Sequence, residues 1–369
     1  MWEYIVLLII LFVWKLSFKK KGEWIETPWS LSAAKAIQGI SAIGIILHHC
    51  TQKLENAQLD PGALAPFRDF GVLFVGIFLF FSGYGLIKSY QSKPDYFKHF
   101  LRNRFIALLI PFFVCNFVYY IFVTILGRRL PFSEVLLSII GYHPINDQIW
   151  FVIELVIFYL VFFLLYRFIK NDKLALAGMF VFIIAFIGYC LTRGHGYNWF
   201  QGEWWYNSSL LFVIGIAFGT FEASIIKFIK KTYIILLPVI LIATCVFYRL
   251  NVYFLETRSY WSETPGNPAY GDKLTCLSAQ VVMIVCFVFS ILLIMMKVKI
   301  GNPALLFLGK RSLEIYLLQN LFLTYLRSSN TITIKNADLY VAAVIGGTVL
   351  TAFLVHLVDS FIVSKIRKK

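Results

Sequence analysis

Apolar residues in this chain do not alternate with polar ones; they come in long runs. Eleven such runs lie near 2–18, 33–51, 70–88, 104–126, 148–166, 174–191, 207–222, 233–249, 274–296, 303–326 and 339–363. A helix crosses the hydrocarbon core of a bilayer with about 20 mostly apolar residues, so most of these runs have spanning length. No period-2 alternation dominates, which excludes a membrane β-barrel. No internal repeat and no Gly/Ser-rich or Pro-rich linker divides the chain. The pattern predicts an all-α, polytopic membrane helix bundle built as one membrane domain.

Composition sharpens that class. The 369 residues are 59% hydrophobic and only 14% charged, with a mean hydropathy of +0.76. A soluble chain carries roughly 45–50% apolar and about 25% charged residues, so this one lacks the polar surface to cover a soluble core. Charge then sets the expected topology. The first run carries Glu3 at its start, has no basic segment ahead of it, and is succeeded by Lys19, Lys20 and Lys21. It reads as a retained helix with its N-terminus outside, not as a signal peptide. On that choice the loops 15–32, 89–104, 167–173, 223–232, 297–302 and 364–369, with the adjoining Lys88, hold 21 Lys and Arg, against 10 on the opposite side. The positive-inside rule thus puts Lys19, Arg102, Lys170, Lys230 and Lys369 in the cytoplasm. It puts the loops of Arg128, Trp204 and Trp261 outside, in a multi-pass protein of the plasma membrane. The net charge of +15 is mostly topology and calls for no nucleic-acid partner. The six cysteines are scattered singly, without the spacing of a zinc site or a disulfide framework, and read as buried free thiols.

Ionisable side chains inside a span are costly, and by default they face the protein interior and carry function. The second run, "KAIQGISAIGIILHHC", starts with Lys35 and Gln38 and ends on His48 and His49, about 20 Å further on at 1.5 Å per residue. The fifth opens from the outside with Trp150 and Glu154, at a depth similar to the histidines. The tenth, "LGKRSLEIYLLQN", carries Lys310, Arg311, Glu314, Tyr316, Gln319 and Asn320. Together these predict a polar seam through the bundle. Neighbouring helical residues point about 100° apart, so one of the two histidines is expected to turn away from any cavity. That geometry argues against a two-histidine metal site, which prefers i, i+4 spacing, and no metal is expected. A lone imidazole in a span is as often packing as chemistry, but a neutral imidazole is also the usual acceptor for a hydroxyl proton. The basic loop "KSYQSKPDYFKHFLRNRF" reads either as topology and lipid headgroup contact or as a dock for a phosphate-bearing donor, with Arg102 and Arg104 as its forks. No glycine-rich phosphate loop supports nucleotide hydrolysis.

Several segments together resemble the integral-membrane acyltransferase family 3, of the O-acetyltransferase type. "QGISAIGIILHH" fits its frame of a basic residue, ten residues and a histidine, with neutral Gln38 at the basic position, Lys35 one turn earlier, and His49 at the histidine. "GVLFVGIFLFFSGYGLIKSY" resembles its second core helix, with Ser82 and Tyr84 in the pattern F-x-SG-aromatic. "FLRNRFIALLIPFF", "IWFVIELVIFYL" and "LGKRSLEIYLLQN" resemble later segments, the last with Ser312 and Tyr316 in place. The resemblance runs from about 33 to 360. It implies ten core helices in 33–369, preceded by an extra N-terminal helix and basic linker in 1–32. It implies an acyl-CoA donor from the cytoplasm, probed first as acetyl-CoA and used as a substrate, not a permanently bound cofactor. The implied acceptor is a hydroxyl of a sugar or cell-surface glycan. His49 would act as base or acyl carrier, with His48 and Glu154 as further catalytic candidates. Lys35, Gln38, Ser82, Tyr84, Arg102, Arg104, Trp150, Lys310, Ser312, Tyr316 and Gln319 would bind substrate. With no esterase-like domain after "SKIRKK", the membrane domain is expected to act alone. The alternative from another class is a transporter or flippase for a lipid-linked sugar, whose path would be the same polar seam; the lack of visible inverted repeats weighs against it.

Overall fold

The computed structural model describes residues 1–127, 131–142, 146–195, 199–328 and 331–367; Arg128 and Lys369 therefore lie outside the described residues. The helices are α1 (Trp2–Val13), α2 (Leu31–Asn56), α3 (Gly71–Ser92), α4 (Phe100–Ile125), α5 (Phe132–Ile139), α6 (Trp150–Phe168), α7 (Asp172–Arg193), α8 (Leu210–Thr220), α9 (Glu222–Thr257), α10 (Tyr270–Met295), α11 (Pro303–Lys310), α12 (Ser312–Tyr325) and α13 (Ala337–Arg367). Among the described residues eight of them, α2, α3, α4, α6, α7, α9, α10 and α13, are long and apolar enough to span a bilayer. Their outward faces carry bare Ile125, Val181, Ile234, Ile242, Leu350 and Phe361. Only a lipid solvent makes such a surface stable, and this is a multi-pass membrane protein.

Polar residues set the helix ends. The Ser30 hydroxyl accepts from the Ala33 amide to start α2. Asn171 caps α7 by accepting from the amides of Lys173 and Leu174, and Asn302 caps α11 ahead of Pro303. Each satisfies backbone donors that a helix start otherwise leaves bare.

The structure departs from the hydrophobic runs in four places. First, α1 has only 12 residues. The chain then extends, and Ser17–Phe18 pairs antiparallel with Val298–Lys299, a small ladder inside an otherwise helical fold. Second, α8 has 11 residues, preceded by the buried polar trio Asn207, Ser208 and Ser209. Third, the expected basic loop 223–232 is helical and belongs to the 36-residue α9. Lysine favours helix, and the Lys230 and Lys297 ammonium groups reach over the Trp24 ring. Fourth, the run 303–326 breaks at Arg311, where α11 gives way to α12. The cysteines are unpaired, and five are buried, but Cys245 is exposed on α9, a position the buried-thiol expectation missed.

Glycines bring the central helices together. A Cβ on Gly309 would strike the Lys35 carbonyl, and one on Gly39 would strike the Leu305 carbonyl, so α11 crosses α2 backbone to backbone. Gly83 and Gly215 play the same part where α3 meets α8, against the carbonyls of Phe212 and Phe80. Association between helices in lipid rests on such close packing by small residues.

α2 and α3 are antiparallel and define two ends. At the histidine end, His48 packs over Gly71, the first residue of α3. At the arginine end, the last turn of α3 meets Arg104 of α4 through Ser89. α1 runs between the two ends. Its N-terminal ammonium pairs with Asp338 at the start of α13 at 2.6 Å, and its last turn accepts hydrogen bonds from Asn302.

Candidate active site

Two cavities enter the bundle. One, of about 590 Å³, lies at the histidine end and is lined by His48, His49 and Gln52 of α2, Trp150 and Ile153 of α6, and the loop segment containing Trp199, Gln201, Glu203, Trp204, Trp205 and Asn207. The other, of about 930 Å³, lies at the arginine end, among Lys35 and Gln38 of α2, Ser82, Tyr84, Lys88 and Ser89 of α3, Lys93, and Arg104 of α4. Ile45, Val75 and Tyr316 line both.

Both imidazoles face the histidine cavity, their ring centres 4.8 Å apart. The expectation that the 100° step turns one of them away is not met, because the cavity is wide enough to take both directions. They differ in tethering. His48 Nδ1 lies 2.9 Å from the Phe67 carbonyl oxygen, and its ring edge presses on Gly71, leaving no room there for a side chain. His49 sits one turn from Gln52, which lines the same cavity.

Glu154 is buried but is not on either cavity wall. Its Oε1 accepts from the Ser209 hydroxyl at 2.5 Å, and its Oε2 has no partner among the described residues. Trp150 lines the histidine cavity, its ring 6.1 Å from that of Trp205.

At the arginine end the structure gathers Lys35, Gln38, Ser82, Tyr84, Arg104, Ser312 and Tyr316 around one space. Ser82 and Tyr159 share a hydrogen bond of 2.7 Å, and the Tyr84 hydroxyl donates to Glu222 at 2.7 Å. Lys88 pairs with the other oxygen of Glu222 at 2.6 Å. The Arg104 guanidinium donates to Ser89 and Tyr96, each at 3.1 Å. Arg102 is not its companion. It turns to the end of α13 and donates to the Ile366 carbonyl at 2.6 Å, where a cation satisfies the last carbonyls of a helix. Lys310 is exposed and off the cavity. Gln319 is fully buried, its amide donating to the Tyr316 carbonyl.

The residues that sequence reasoning missed are mostly in loops. "WFQGEWWYN" (199–207) supplies much of the histidine-cavity rim; its mix of indoles with Gln, Glu and Asn, in a segment between spans, was the available signal. Behind it lies a charged latch. The Glu263 carboxylate receives the Lys273 ammonium at 2.5 Å and faces His195 Nδ1 at 2.6 Å, and the imidazole stacks on Trp261. Burial would push the Glu263 carboxyl up, but the hydrogen bonds from Lys273 and His195 outweigh it and hold the group at about 2. Burial likewise disfavours the His195 cation, and its bonds with Glu203 and Glu263 outweigh that, placing it above the ordinary imidazole value. Asp69, on the cavity rim, is raised by burial.

Among the described residues no group of three His, Cys, Asp or Glu is placed to hold a metal ion. The geometry places two imidazoles on the wall of one cavity and four basic side chains, Lys35, Lys88, Lys93 and Arg104, on the wall of a second that shares Ile45, Val75 and Tyr316 with it. No curated protein and no solved structure matches the chain. The family model of the acyltransferase domain, acyltransferase 3, matches residues 31–356. That match covers the histidine cavity, all of the arginine cavity but Trp29 and Ser30, and all the helices from α2 to α12, and the chain therefore belongs to the acyltransferase 3 family of membrane O-acyltransferases.

Proposed function

We propose that the protein moves an acyl group, acetyl in the simplest case, from acyl-CoA to a hydroxyl of a sugar in a cell-surface glycan. The donor enters at the arginine end, which faces the cytoplasm, and the acceptor at the histidine end, which faces outward across the plasma membrane. The observation that carries this reading is a pair of cavities that share Ile45, one turn from His49, one lined by Lys35, Lys88, Lys93 and Arg104 and the other by both imidazoles. Lys35, Lys88, Lys93 and Arg104 give the arginine cavity the charge that a phosphate-bearing donor requires. Indole rings and carboxamides line the other, a surface suited to the apolar faces and hydroxyls of a sugar ring.

His49 takes the proton of the acceptor hydroxyl as its oxygen attacks the thioester carbonyl carbon. The new C–O bond forms, the C–S bond breaks, and the departing sulfur takes the proton back from the imidazole. The products are an ester and free CoA. His48, fixed by the Phe67 carbonyl, holds the wall beside it. Trp150 lines the same chamber directly, and Glu154 acts on it at one remove, through the packing of α6.

The test is thioester consumption. Washed membranes carrying the protein, given labelled acetyl-CoA, should release free CoA and place the label in envelope glycan. A transporter or flippase would move its cargo with the thioester intact.

A further inference from the structure

Tyr84 and Lys88 sit four residues apart on α3, on one face of the helix, and both line the arginine cavity. Glu222 stands behind them, off the cavity wall, as the first residue of α9. A carboxylate suits that position because a helix start is electropositive. The end of α8 carries it there: a Cβ on Gly219 would strike Ile87 and crowd Tyr84, so this turn rides directly on α3. The two carboxylate oxygens are divided between the two wall residues. One accepts from the Tyr84 hydroxyl at 2.7 Å, and the other meets the Lys88 ammonium at 2.6 Å. The remaining lysines and the arginine on the wall are held differently. Arg104 donates to the neutral partners Ser89 and Tyr96. Among the described residues neither Arg104 nor Lys35 nor Lys93 is ion-paired with a carboxylate. Asp95, on the same wall, is exposed and pairs with none of them among the described residues.

We infer that Glu222 is a positioning residue that limits how tightly the cavity holds the donor and the CoA left after transfer; the inference rests on the donor reading above. An ammonium already in contact with a carboxylate offers an incoming phosphate little net charge. To bind the phosphate it must share or leave Glu222, and the carboxylate then stays close to a negative ligand. Acyl-CoA and free CoA carry the same phosphates, so charge that grips one grips the other. Binding common to ground state and transition state lowers KM without raising kcat. It also delays product release, which limits turnover in many enzymes. Lys35, Lys93 and Arg104 collect the donor, while the Glu222–Lys88 pair keeps the fourth charge from retaining the product. Glu222 itself makes and breaks no bond.

The experiment is a charge series on the whole chain. Wild type, Glu222→Gln, Glu222→Ala, and Glu222→Gln combined with Lys88→Met are titrated with CoA by thermal shift, at low and high salt. Acetyl transfer from acetyl-CoA is followed in membranes carrying each. Glutamine keeps an oxygen that can accept from Tyr84, and alanine is a second neutral variant should the first fail to fold. Each neutral variant should bind CoA about two- to fivefold tighter at low salt, the worth of one part-exposed ion pair. The difference should narrow at high salt, where charge is screened. KM for acetyl-CoA should fall by a similar factor, and kcat should not rise. The double variant, whose pair is neutral again, should return to wild-type affinity. Unchanged or weaker CoA binding in the neutral variants would overturn the inference and leave Glu222 a brace for α9. Tightening that persists in the double variant would also overturn it, because Lys88 would not be the route. Wild type that neither binds CoA nor consumes the thioester would instead overturn the donor reading itself.

Discussion

The two cavities are built from the same four helices, α2, α3, α6 and α12, yet they differ in where the rest of their walls come from. The histidine cavity draws its rim from loops: residues 199–207, the 62–69 turn and the segment around Asp147. The arginine cavity draws on helix faces and the turn that joins α3 to α4. Loops can be exchanged without repacking a bundle, so on the proposed reading a change of acceptor would be accommodated at the histidine end. The arginine end presents a fixed cationic surface, which suits a donor whose recognised part, its phosphates, does not vary.

The largest effect expected separates the two ends outright. His49→Ala should lower acyl transfer by about 10²–10⁴-fold, the usual share of a general base, and leave CoA binding, measured by thermal-shift titration, as in wild type. His48→Ala should cost much less, since its ring is tied to the Phe67 carbonyl and to Gly71. Loss of transfer in His48→Ala with near-normal transfer in His49→Ala would exchange their roles.

Next in size is a difference between two neighbouring arginines. Arg104→Ala should weaken CoA binding about tenfold, the worth of a hydrogen bond to a charged group, and more at low salt, because exposed charges are screened. Arg102→Ala should leave CoA affinity unchanged and lower the melting temperature slightly, since its partner is the Ile366 carbonyl. Equal losses in the two variants would return Arg102 to the donor site.

The smallest effect concerns the latch behind the acceptor rim. The carboxylate of Glu263, depressed to about 2, stabilises the fold fully above its ordinary value of 4.5 and loses that effect as the pH falls towards 2. His195, raised above 6.5, stabilises fully below 6.5 and loses the effect as the pH rises through its raised value. The latch is therefore strongest between about pH 4.5 and 6.5. Glu263→Gln should lower the melting temperature most in that window, less in alkali, where Lys273 still pairs with the carboxylate, and least as the pH falls towards 2, without changing CoA affinity. A pH-independent loss would show that packing against Trp261, not charge, holds the latch.

How far the sequence carried this account depends on the kind of feature. The long spans were legible because a hydrocarbon solvent demands long apolar runs, and the paired histidines stood out against theirs. The break at Arg311 was not, because it comes from Gly309 meeting the backbone of Lys35, 274 residues away in sequence. The short ladder of Ser17–Phe18 with Val298–Lys299 was hidden for the same reason. The divergence of Arg102 and Arg104 was legible in principle. Two residues apart on α4, they point about 200° from each other, which a loop reading of 89–104 concealed. Glu154 was expected at the depth of the histidines, but an expected depth says nothing of direction, and its partner Ser209 belongs to a helix start that hydropathy alone blurred into a span.

The central claim is that donor and acceptor come from opposite sides and meet beside His49. Proteoliposomes with the protein in one orientation test it most directly, with acetyl-CoA supplied on the arginine-end side and envelope glycan on the histidine-end side. The account predicts acetylated glycan on one side and free CoA on the other, with neither product in His49→Ala. Acetylation that occurs only when both substrates share one side would contradict it.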